Sequence, residues 1–392
     1  MKQTNEHDVI IAGAGPAGSM AAIILAQKGY DVLLLDRHTF PRDKICGDAV
    51  PAGTIERLWH YGLKEKVDQA VARGEFYRID RLLLVSPRGY DIEADLIDGR
   101  EGAKSYVAPR LYFDALMQQA AVEAGAQFCQ AQVKTPIREN GKVIGVQAQV
   151  DGAVRPFYAK LLVGADGVTS VIARNLRPKE EQHEDKHRAI AIRAYIDDIE
   201  EIPHEVEFYL YKEILPGYAW IFPTGRHTAN IGLGMRLDHF RKHKLNLKTM
   251  LQEFLEMPVI KKRLLRGGQL HNVATWQLNF GSQAHMVYSF DGALLVGDAA
   301  GFINPITGGG IYNSTLSAEL AAQVIDKALQ SGDYSRQTLQ EYDQLCHDAM
   351  WDNMKTSYRF QRAFMNFPWL VDILIRFGKQ SDSLTQIFLS KL

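Results

Sequence analysis

Residues 9–18, VIIAGAGPAG, decide the fold of this chain. The first four form an apolar run without alternation, which is typical of a strand buried on both faces of a sheet. The segment Pro16–Gln27 is rich in Ala, Ile and Leu and predicts a helix that ends near Gly29. Asp31–Asp36, with the sequence DVLLLD, indicates a second buried strand. The sequence therefore predicts a βαβ unit that begins almost at residue 1.

The glycines of this stretch have the spacing of a dinucleotide-binding loop between a strand and a helix. Gly13 permits the tight turn, Gly15 lets the backbone approach a diphosphate, and Gly18 lets the helix pack closely on the strand. Pro16 and Ala17 begin the helix, whose first N–H groups and positive dipole end favour phosphate binding. The pattern alone does not distinguish FAD from NAD.

An acidic residue, Asp36, ends the second strand 18 residues after Gly18. A carboxylate at this place is suited to accept hydrogen bonds from the hydroxyls of an adenosine ribose. Arg37 follows directly, and we expect both side chains to contact the cofactor.

The charge balance and the cysteine content exclude several classes of protein. Lys and Arg number 45 and Asp and Glu 46, so no basic excess is present and no nucleic-acid partner is expected. Cys46, Cys129 and Cys346 are too scattered for a disulfide framework or a metal site, which indicates a reducing compartment. The N-terminus is polar and no apolar run is long enough to span a bilayer. We expect a cytoplasmic protein that contacts a membrane, if at all, only peripherally.

Turn-forming residues divide the middle of the chain into short strands. The turn-forming tetrapeptide Ser86–Gly89 lies between Arg81–Val85 and Tyr90–Ala94 and predicts a hairpin. Asn140-Gly141 and Asp151-Gly152 predict tight turns in a three-stranded meander, which follows a helical segment at Arg110–Gly125. A charged linker covers Arg174–Arg188. Beyond it, an antiparallel sheet is predicted by four alternating segments, Ala189–Ile196, Val206–Tyr211, Tyr218–Phe222 and Thr228–Met235. Three helical segments end the chain, at about Tyr312–Leu329, Thr338–Phe364 and Trp369–Phe377.

Two further glycine-rich turns follow buried strands. Residues 164–170, GADGVTS, come after Leu161–Val163, and residues 297–301, GDAAG, come after Ala293–Val296. Ligands of open α/β sheets bind beyond the carboxyl ends of the strands, where both turns lie. The second turn continues through a glycine triplet into a helix whose N-terminus is suited to face an anionic ring edge.

In this order the three turns resemble those of the flavoprotein hydroxylase superfamily related to p-hydroxybenzoate hydroxylase. The resemblance extends from residue 8 to about residue 325 and implies FAD as the cofactor. It implies that Asp166 belongs to a second fingerprint and that Asp298 binds the ribityl chain. Arg110, at the start of a helix, is similar to the arginine that this group places near the diphosphate. The other cofactor-binding residues that we expect are Cys46, Gly47, Gly297, Gly309, Gly310 and Ile311.

One loop and one strand narrow the resemblance. Lys44–Asp48 reads KICGD, and Tyr218–Pro223 reads YAWIFP. Together they are similar to the geranylgeranyl reductase branch, which pairs a KxCG loop with a YxWxFP strand. Tyr218, Trp220 and Phe222 lie at period two and share one face, forming an apolar wall suited to a flavin and a long hydrocarbon. Ordinary core packing of a sheet is the alternative that the spacing alone favours.

Cys46, Tyr218 and Trp220 are the candidate catalytic residues. The resemblance implies that reduced FAD gives hydride to one carbon of an isolated prenyl C=C bond while a proton reaches the other. An unperturbed thiol has a pKa of ~8.5, so Cys46 is mostly protonated at neutral pH and is suited to donate this proton. A small buried residue that only shapes the pocket is the alternative.

The predicted fold class is α/β, with a Rossmann-type FAD-binding domain, an inserted antiparallel-sheet substrate domain and C-terminal helices. The FAD-binding domain is discontinuous and covers residues 1–75, 100–175 and 285–330. The substrate domain covers residues 76–99 and 176–284, and the helical region residues 331–392.

Two other functions stay open at this point. One is an oxygen-using flavin enzyme, a monooxygenase or a halogenase, because halogenases carry a similar WxWxIP strand. A halogenase also needs a lysine near its substrate, and no segment indicates one. The other is a non-catalytic prenyl-chain carrier such as the GDP dissociation inhibitors. Because one dinucleotide motif is visible and the flavin occupies it, the expected reductant is NADPH that binds briefly, ferredoxin as a protein partner, or a small reductant. The oligomeric state is left open.

Two histidine pairs and an apolar segment have plain structural interpretations. His183 with His187, and His239 with His243, stand among charged residues, which favours a solvated surface over a metal site. The segment Phe364–Phe377 is expected to pack against the body of the protein, although capping a tunnel or touching lipid is an alternative.

Overall fold

The computed structural model describes residues 6–178, 182–264 and 268–378 of the 392-residue chain. The strands are β1 Glu6–Ala12, β2 Val32–Asp36, β3 Ala49–Val50, β4 Tyr77–Ile79, β5 Arg81–Val85, β6 Asp91–Asp95, β7 Ser105–Val107, β8 Gln127–Gln130, β9 Gln132–Glu139, β10 Lys142–Val150, β11 Ala153–Gly164, β12 Arg188–Asp197, β13 Glu205–Tyr209, β14 Gly217–Gly225, β15 Thr228–Arg236, β16 Leu270–Asn279, β17 Ser289–Phe290 and β18 Ala293–Leu295. The helices are α1 Pro16–Gln27, α2 Ala52–His60, α3 Lys64–Ala72, α4 Arg110–Glu123, α5 Val171–Leu176, α6 Leu237–Lys242, α7 Leu247–Glu256, α8 Pro258–Arg263, α9 Gly297–Ala300, α10 Ile311–Ser331, α11 Arg336–Leu339, α12 Glu341–Cys346, α13 Asp352–Asn366 and α14 Trp369–Gly378.

Within the described residues the first sheet has eight strands, and it contains the predicted βαβ unit. Its main order is β17-β18-β11-β1-β2-β8, with β10 paired to β11 and β9 paired to β10. The strands from β18 to β8 in this order are parallel, so their carboxyl ends meet at one edge. Helix α1 contacts β1 and β2 on one side and packs on α4 and α10, which explains why Val9, Ile10 and Ile11 are fully buried.

The predicted meander is formed by β9, β10 and β11, which pair antiparallel. At its two turns, Asn140 and Asp151 have φ of 51° and 49°, and Gly141 and Gly152 follow with φ of 86° and 83°. Two consecutive positive φ angles are what a tight type I′ hairpin turn requires. The turn residues therefore fix the register where each hairpin begins, and irregularities at Val143–Gly145 and Gln147–Ala148 shift the pairing of β9 with β10 further along.

The second sheet, as far as the structure describes the chain, has seven strands in the order β16-β12-β15-β14-β13-β5-β6. Its neighbours are antiparallel except for β13 and β5, which are parallel. The predicted antiparallel sheet is therefore mixed at this pair, because the early hairpin β5–β6 joins it beside a strand that comes much later in the chain. Strand β16 and helices α6 to α8 were not expected from the sequence pattern. The three short strands β3, β7 and β4 form a third sheet, and the division into domains stays a prediction.

The segment expected to be a solvated linker is exposed at half of its described residues, but its two histidines pack against the body. Helix α5 occupies its first part, and residues 179–181 lie outside the described residues. The His187 ring is buried, bonds to the Ser282 hydroxyl at 2.9 Å and lies 4.6 Å from the Tyr358 ring. His183 lies against Gly301, where a Cβ would be 2.5 Å from its Nε2. The expectation of a solvated face for this pair is wrong, because the segment crosses between the two large sheets beside α9 and α13.

The C-terminal helices depart from the prediction in one respect. The expected second segment is divided into α11, α12 and α13, with a π-helical turn at His347–Trp351 before α13. Helix α14 packs one face on the body, with Val371 and Ile375 buried. Residues 379–392 and the side chain of Phe377 lie outside the described part. None of the described helices is both long and apolar enough to cross a bilayer.

Candidate active site

The glycine loop after β1 leaves no room for side chains at two positions. A Cβ on Gly13 would lie 2.3 Å from the carbonyl oxygen of Ala165, and Gly13 has a φ of +107°. A Cβ on Gly18 would lie 1.8 Å from the carbonyl oxygen of Gly13. Helix α1 begins at Pro16 without a side-chain cap, so the N–H groups of its first turn are available to an anion. These features fit the diphosphate of a dinucleotide.

Two guanidinium groups face this loop. A Cβ on Gly15 would be 3.8 Å from Nη2 of Arg110 and 4.0 Å from Nη2 of Arg42. The fully buried Asp114 carboxylate accepts hydrogen bonds from Nε and Nη2 of Arg110 at 2.6 and 2.7 Å, and from Nη1 of Arg42. Although burial opposes the charge, Asp114 keeps the pKa of Arg110 above its ordinary value. Two cations balanced by one buried anion leave a net positive charge beside the loop, which suits a diphosphate.

Sequence reasoning identified Arg110 but missed Arg42 and Asp114. A signal for Asp114 was present, since it lies four residues after Arg110 on a predicted helix and such pairs face each other. Arg42 stands in a loop, and no local pattern connects it to this helix.

Asp36 has a fixed orientation at the end of β2. Its Oδ2 accepts a hydrogen bond from the N–H of Ala14, and its Oδ1 one from the N–H of His38, both at 2.9 Å. Asp36 and Arg37 both line the cavity described below. The ribose contact stays a prediction, and the carboxylate lies at the sheet edge that this contact requires.

Asp166 and Asp298 differ in what they contact. Oδ2 of Asp166 accepts a hydrogen bond from the N–H of Val171 at 2.6 Å, and its Oδ1 one from the Ser170 hydroxyl. Asp166 therefore stabilises the first turn of α5 as well as lining the cavity. Asp298 lies in α9 beside the glycine triplet, where a Cβ on Gly310 would be 3.1 Å from its Oδ1.

A buried polar network anchors the loop that carries Cys46. Nδ2 of Asn230 donates to the carbonyl oxygen of Cys46 and to Oδ2 of Asp48, both at 2.7 Å. The Tyr195 hydroxyl donates to the same Asp48 oxygen at 2.6 Å, and Nε1 of Trp220 donates to Oδ1 of Asn230 at 2.9 Å. Asp48 and Asn230 are fully buried. The network therefore fixes the Cys46 loop against the second sheet.

The predicted aromatic wall is present on β14. The ring centroids of Tyr218 and Trp220 are 6.0 Å apart, and those of Trp220 and Phe222 6.1 Å apart. Phe208 of β13 extends the wall, 5.2 Å from Tyr218 and 5.0 Å from Phe222. The Tyr218 hydroxyl donates a hydrogen bond to the carbonyl oxygen of Thr307. The wall is therefore joined to the segment that leads into the glycine triplet.

A cavity of about 710 Å³ connects the glycine loop to this wall. Its lining includes the predicted residues Gly13, Gly15, Pro16, Ala17, Asp36, Arg37, Cys46, Gly47, Arg110, Asp166, Tyr218, Trp220, Asp298, Gly309, Gly310 and Ile311. Gly18 and Gly297 are not part of the lining and instead permit close packing, since a Cβ on Gly297 would be 2.8 Å from the Cβ of Ala17. Beyond the wall the lining is mainly apolar, with Leu82, Leu84, Val206, Leu210 and Phe364, and the polar residues Asp95 and Gln361 also belong to it.

The thiol of Cys46 and the phenol of Tyr218 retain their protons at neutral pH, whereas the carboxyl of Asp48 loses its proton. Burial, reinforced by the charge of Asp48 and opposed by that of Arg110, raises the pKa of the Cys46 thiol. Burial also raises the pKa of Tyr218. Asp48 has its pKa raised to about 6 by burial, in spite of its hydrogen bonds from Tyr195 and Asn230. The reaction chamber can therefore supply a proton from a thiol or a phenol.

A lysine that no sequence pattern indicated as a chamber residue also lines the cavity. Nζ of Lys44 lies 4.7 Å from the centre of the Trp276 ring. Burial, together with the neighbouring Arg110, lowers the pKa of Lys44. This lysine bears on the halogenase alternative, which requires a lysine at the substrate.

Comparison with known proteins agrees with this geometry. The family described as FAD binding domain matches residues 6–357, and together with the reductases described next it makes the chain an FAD-dependent oxidoreductase. The digeranylgeranylglycerophospholipid reductase of Methanocella arvoryzae is 33% identical over 378 residues, covering 92% of this chain and 87% of the relative. That of Thermoplasma acidophilum is 31% identical over 347 residues, covering 86% and 83%. The chain therefore belongs to the geranylgeranyl reductase family.

Solved structures share the fold. A geranylgeranyl bacteriochlorophyll reductase-like protein from Thermoplasma acidophilum has a TM-score of 0.83 at 27% identity and covers 95% of this chain and 91% of its own. A flavin-dependent brominase has a TM-score of 0.77 at 22% identity, covering 95% and 92%. The second similarity shows the fold alone.

Proposed function

We propose that this protein reduces isolated C=C bonds of a prenyl chain of geranylgeranyl type. The observation that carries the proposal is the continuity of the cavity, which runs from the glycine loop past Trp220 to an apolar end at Leu82 and Phe364. Such a lining favours a hydrocarbon, because apolar surface gains free energy on leaving water. The relatives named for the reduction of a digeranylgeranylglycerophospholipid support a lipid that carries such chains.

The residues of the first sheet fit FAD, which when bound and reduced would supply the hydride. The loop Gly13–Gly18, with Arg110 and Arg42, would hold the diphosphate. Asp36 would bind the ribose, and Asp298 the ribityl chain. Because an isolated C=C bond is unactivated, the protein must contribute by positioning the bond and excluding water. The wall formed by Tyr218, Trp220 and Phe222 would do both.

The proton for the second carbon would come from Cys46. Its thiol carries a proton at neutral pH, and Asn230 fixes the backbone of its loop through the Cys46 carbonyl. Tyr218 is the second group with a proton at the wall. The electron donor would be NADPH or ferredoxin, the latter as a protein partner, and contact with the membrane would be peripheral.

An anaerobic reaction tests the proposal. The bound flavin is photoreduced, geranylgeranyl diphosphate is added, and flavin reoxidation is followed by absorbance with the product mass measured in parallel. Reoxidation without oxygen, with a product heavier by two hydrogens for each bond reduced, is the expected result. Replacement of Cys46 by Ser is expected to slow reoxidation, whereas the control Cys129→Ser, outside the cavity lining, leaves the rate unchanged.

Other outcomes identify the alternatives. A flavin that stays reduced with every prenyl substrate until air is admitted favours an oxygen-using enzyme, for which Lys44 is the residue to replace. A purified protein that binds prenyl chains but neither contains nor takes up FAD indicates the carrier. Reduction by NADPH, compared with reduction by ferredoxin under the same conditions, identifies the electron donor.

A further inference from the structure

Five large apolar side chains are exposed on helices α13 and α14 and on the short link between them. The exposed fractions are 51% for Phe367 and Trp369, 41% for Phe360, and 40% for Ile373 and Leu374. We call these five residues, with the charged residues named next, the α13–α14 surface. Helix α14 buries other apolar side chains on its inner face, so it is apolar on two sides. An apolar outer face in a helix already packed on its protein indicates a contact with something else.

The charge on the same helices is mainly positive. Between residues 352 and 376 the exposed charged side chains are Lys355, Arg359, Arg362 and Arg376, against the single exposed acid Asp352. The acid of α14, Asp372, is buried and accepts a hydrogen bond from the N–H of Arg88 at 3.1 Å. Exposed aromatic and aliphatic side chains beside Lys and Arg are the composition of helices that lie on anionic membranes.

The inner side of helix α13 borders the cavity. Gln361 and Phe364 of α13 line it, and Phe364 stacks on the exposed Phe360 with ring centroids 6.1 Å apart. One helix therefore separates the apolar end of the cavity from the exterior. A lipid that enters beside α13 would pass from the exposed apolar side chains of the α13–α14 surface to the apolar end of the cavity without crossing open water.

We propose that the α13–α14 surface docks this protein on an anionic phospholipid bilayer, and that prenyl chains pass from the bilayer into the cavity beside helix α13. The second half of the proposal rests on the proposed reductase function, whereas the docking itself does not. The charge complementarity and the position beside the apolar end of the cavity favour a bilayer over a protein partner or a second copy of the chain.

Vesicle co-sedimentation of the full-length FAD-containing protein tests the docking. The probes are vesicles of phosphatidylcholine alone and of an equal mixture of phosphatidylcholine and phosphatidylglycerol. We expect binding to the mixed vesicles that weakens as salt is added. The double variant Trp369→Ser/Leu374→Ser is expected to bind the mixed vesicles at least about tenfold more weakly than the unaltered protein. The double variant Arg359→Gln/Arg362→Gln is expected to bind both kinds of vesicle equally, because it lacks the positive charge that favours phosphatidylglycerol. The matched control is Val154→Ser, which removes another exposed apolar side chain (57%) from the first sheet.

Three results would overturn the docking: no binding of the unaltered protein, equal binding by the Trp369/Leu374 variant, or a dimer of the unaltered protein that this variant dissociates. The docking and the passage of prenyl chains into the cavity are tested separately by assaying reduction of geranylgeranyl diphosphate below its critical micelle concentration. The variant should reduce this soluble substrate at the rate of the unaltered protein and lose rate only with vesicle-embedded prenyl lipid. Vesicle binding without reduction of any prenyl substrate would support the docking and overturn the proposed function.

Discussion

The side-chain amide of Asn230 donates a hydrogen bond to the buried carboxylate of Asp48 at 2.7 Å, although the two residues are 182 positions apart. The same amide donates to the carbonyl oxygen of Cys46, and its oxygen accepts from Trp220. One residue of the second sheet therefore sets the distance between the cysteine loop and the aromatic wall. The geometry of the reaction chamber depends on polar groups that do not themselves face a substrate.

The charge of Asp48 should hold Cys46 in its thiol form. Above about pH 6 the carboxyl of Asp48 is ionised, and its charge raises the pKa of the neighbouring thiol. Asp48→Asn removes the charge and should lower the pKa of Cys46. Iodoacetamide labelling of Cys46, followed by mass spectrometry across pH, measures this pKa. Asp43→Asn, which removes a carboxylate from the same loop, should leave it unchanged, and an unchanged value in Asp48→Asn would contradict the argument.

Asp48 should also make stability depend on pH. Its pKa is raised to about 6 in the folded protein from 3.8, so its contribution to stability is greatest below pH 3.8 and is lost as the pH rises through 6. The loss amounts to about 3 kcal/mol over this window. As the pH rises between these values, the free energy of unfolding of Asp48→Asn should therefore increase steadily relative to that of the unaltered protein. Denaturant unfolding of both proteins at several pH values measures the difference, and a difference independent of pH would refute the prediction.

Replacement of Gly18 by Ala should abolish flavin binding. The added Cβ would lie 1.8 Å from the carbonyl oxygen of Gly13, so the loop and α1 cannot keep their positions. Gly29→Ala is the matched control, because Gly29 has a φ of +85° but nothing within 4 Å of an added Cβ. It should cost about 1 kcal/mol of stability and retain the yellow colour. Absorbance near the flavin maximum, with far-ultraviolet circular dichroism to confirm folding, distinguishes the two variants.

Asp114→Ala should be strongly destabilising. It leaves the buried Arg110 guanidinium without its carboxylate partner, and breaking such a pair costs about 3–5 kcal/mol. Asp68→Ala removes a carboxylate with the same spacing on α3, but the Lys64–Asp68 pair is 58% and 56% exposed. Its effect should stay below about 1 kcal/mol. Urea unfolding of the two variants compares these costs, and similar losses in both would show that burial does not decide the effect.

His183 should make the protein sensitive to acid. Burial, followed by the neighbouring Arg177 and His187, lowers the pKa of His183 from 6.5 to about 3. The stabilising contribution of the neutral ring is complete above pH 6.5 and is lost as the pH falls toward 3, because the unfolded chain takes up the proton first. His183→Gln should flatten the loss of thermal stability in this range, measured by scanning calorimetry. His60→Gln, at an exposed position, should leave the pH profile unchanged.

The sequence predicts the parts of the site that depend on local pattern. Helix α1 has the predicted bounds Pro16–Gln27, because a glycine loop, a proline and an apolar run specify it together. The aromatic wall follows from period two in a strand. Asn230 could not be identified, since it is one polar residue in an alternating strand and its partners are distant in sequence. Asp48 lies inside the quoted KICGD loop, but its role depends on Tyr195 and Asn230, which only the paired sheets bring near.

The parallel pairing of β5 with β13 has a consequence for biosynthesis. Val85 leaves the ribosome 120 residues before Glu205, the first residue of the partner strand. At translation rates of about 5–20 residues per second, this interval is roughly 6–24 s. During that time the β5–β6 hairpin presents an unpaired edge and the side chains of Leu82 and Leu84, which in the finished protein lie against the cavity. The dinucleotide loop is synthesised well before the aromatic wall, and until β13 emerges the nascent chain carries a hairpin with an unpaired edge and apolar side chains that lack their partner strand.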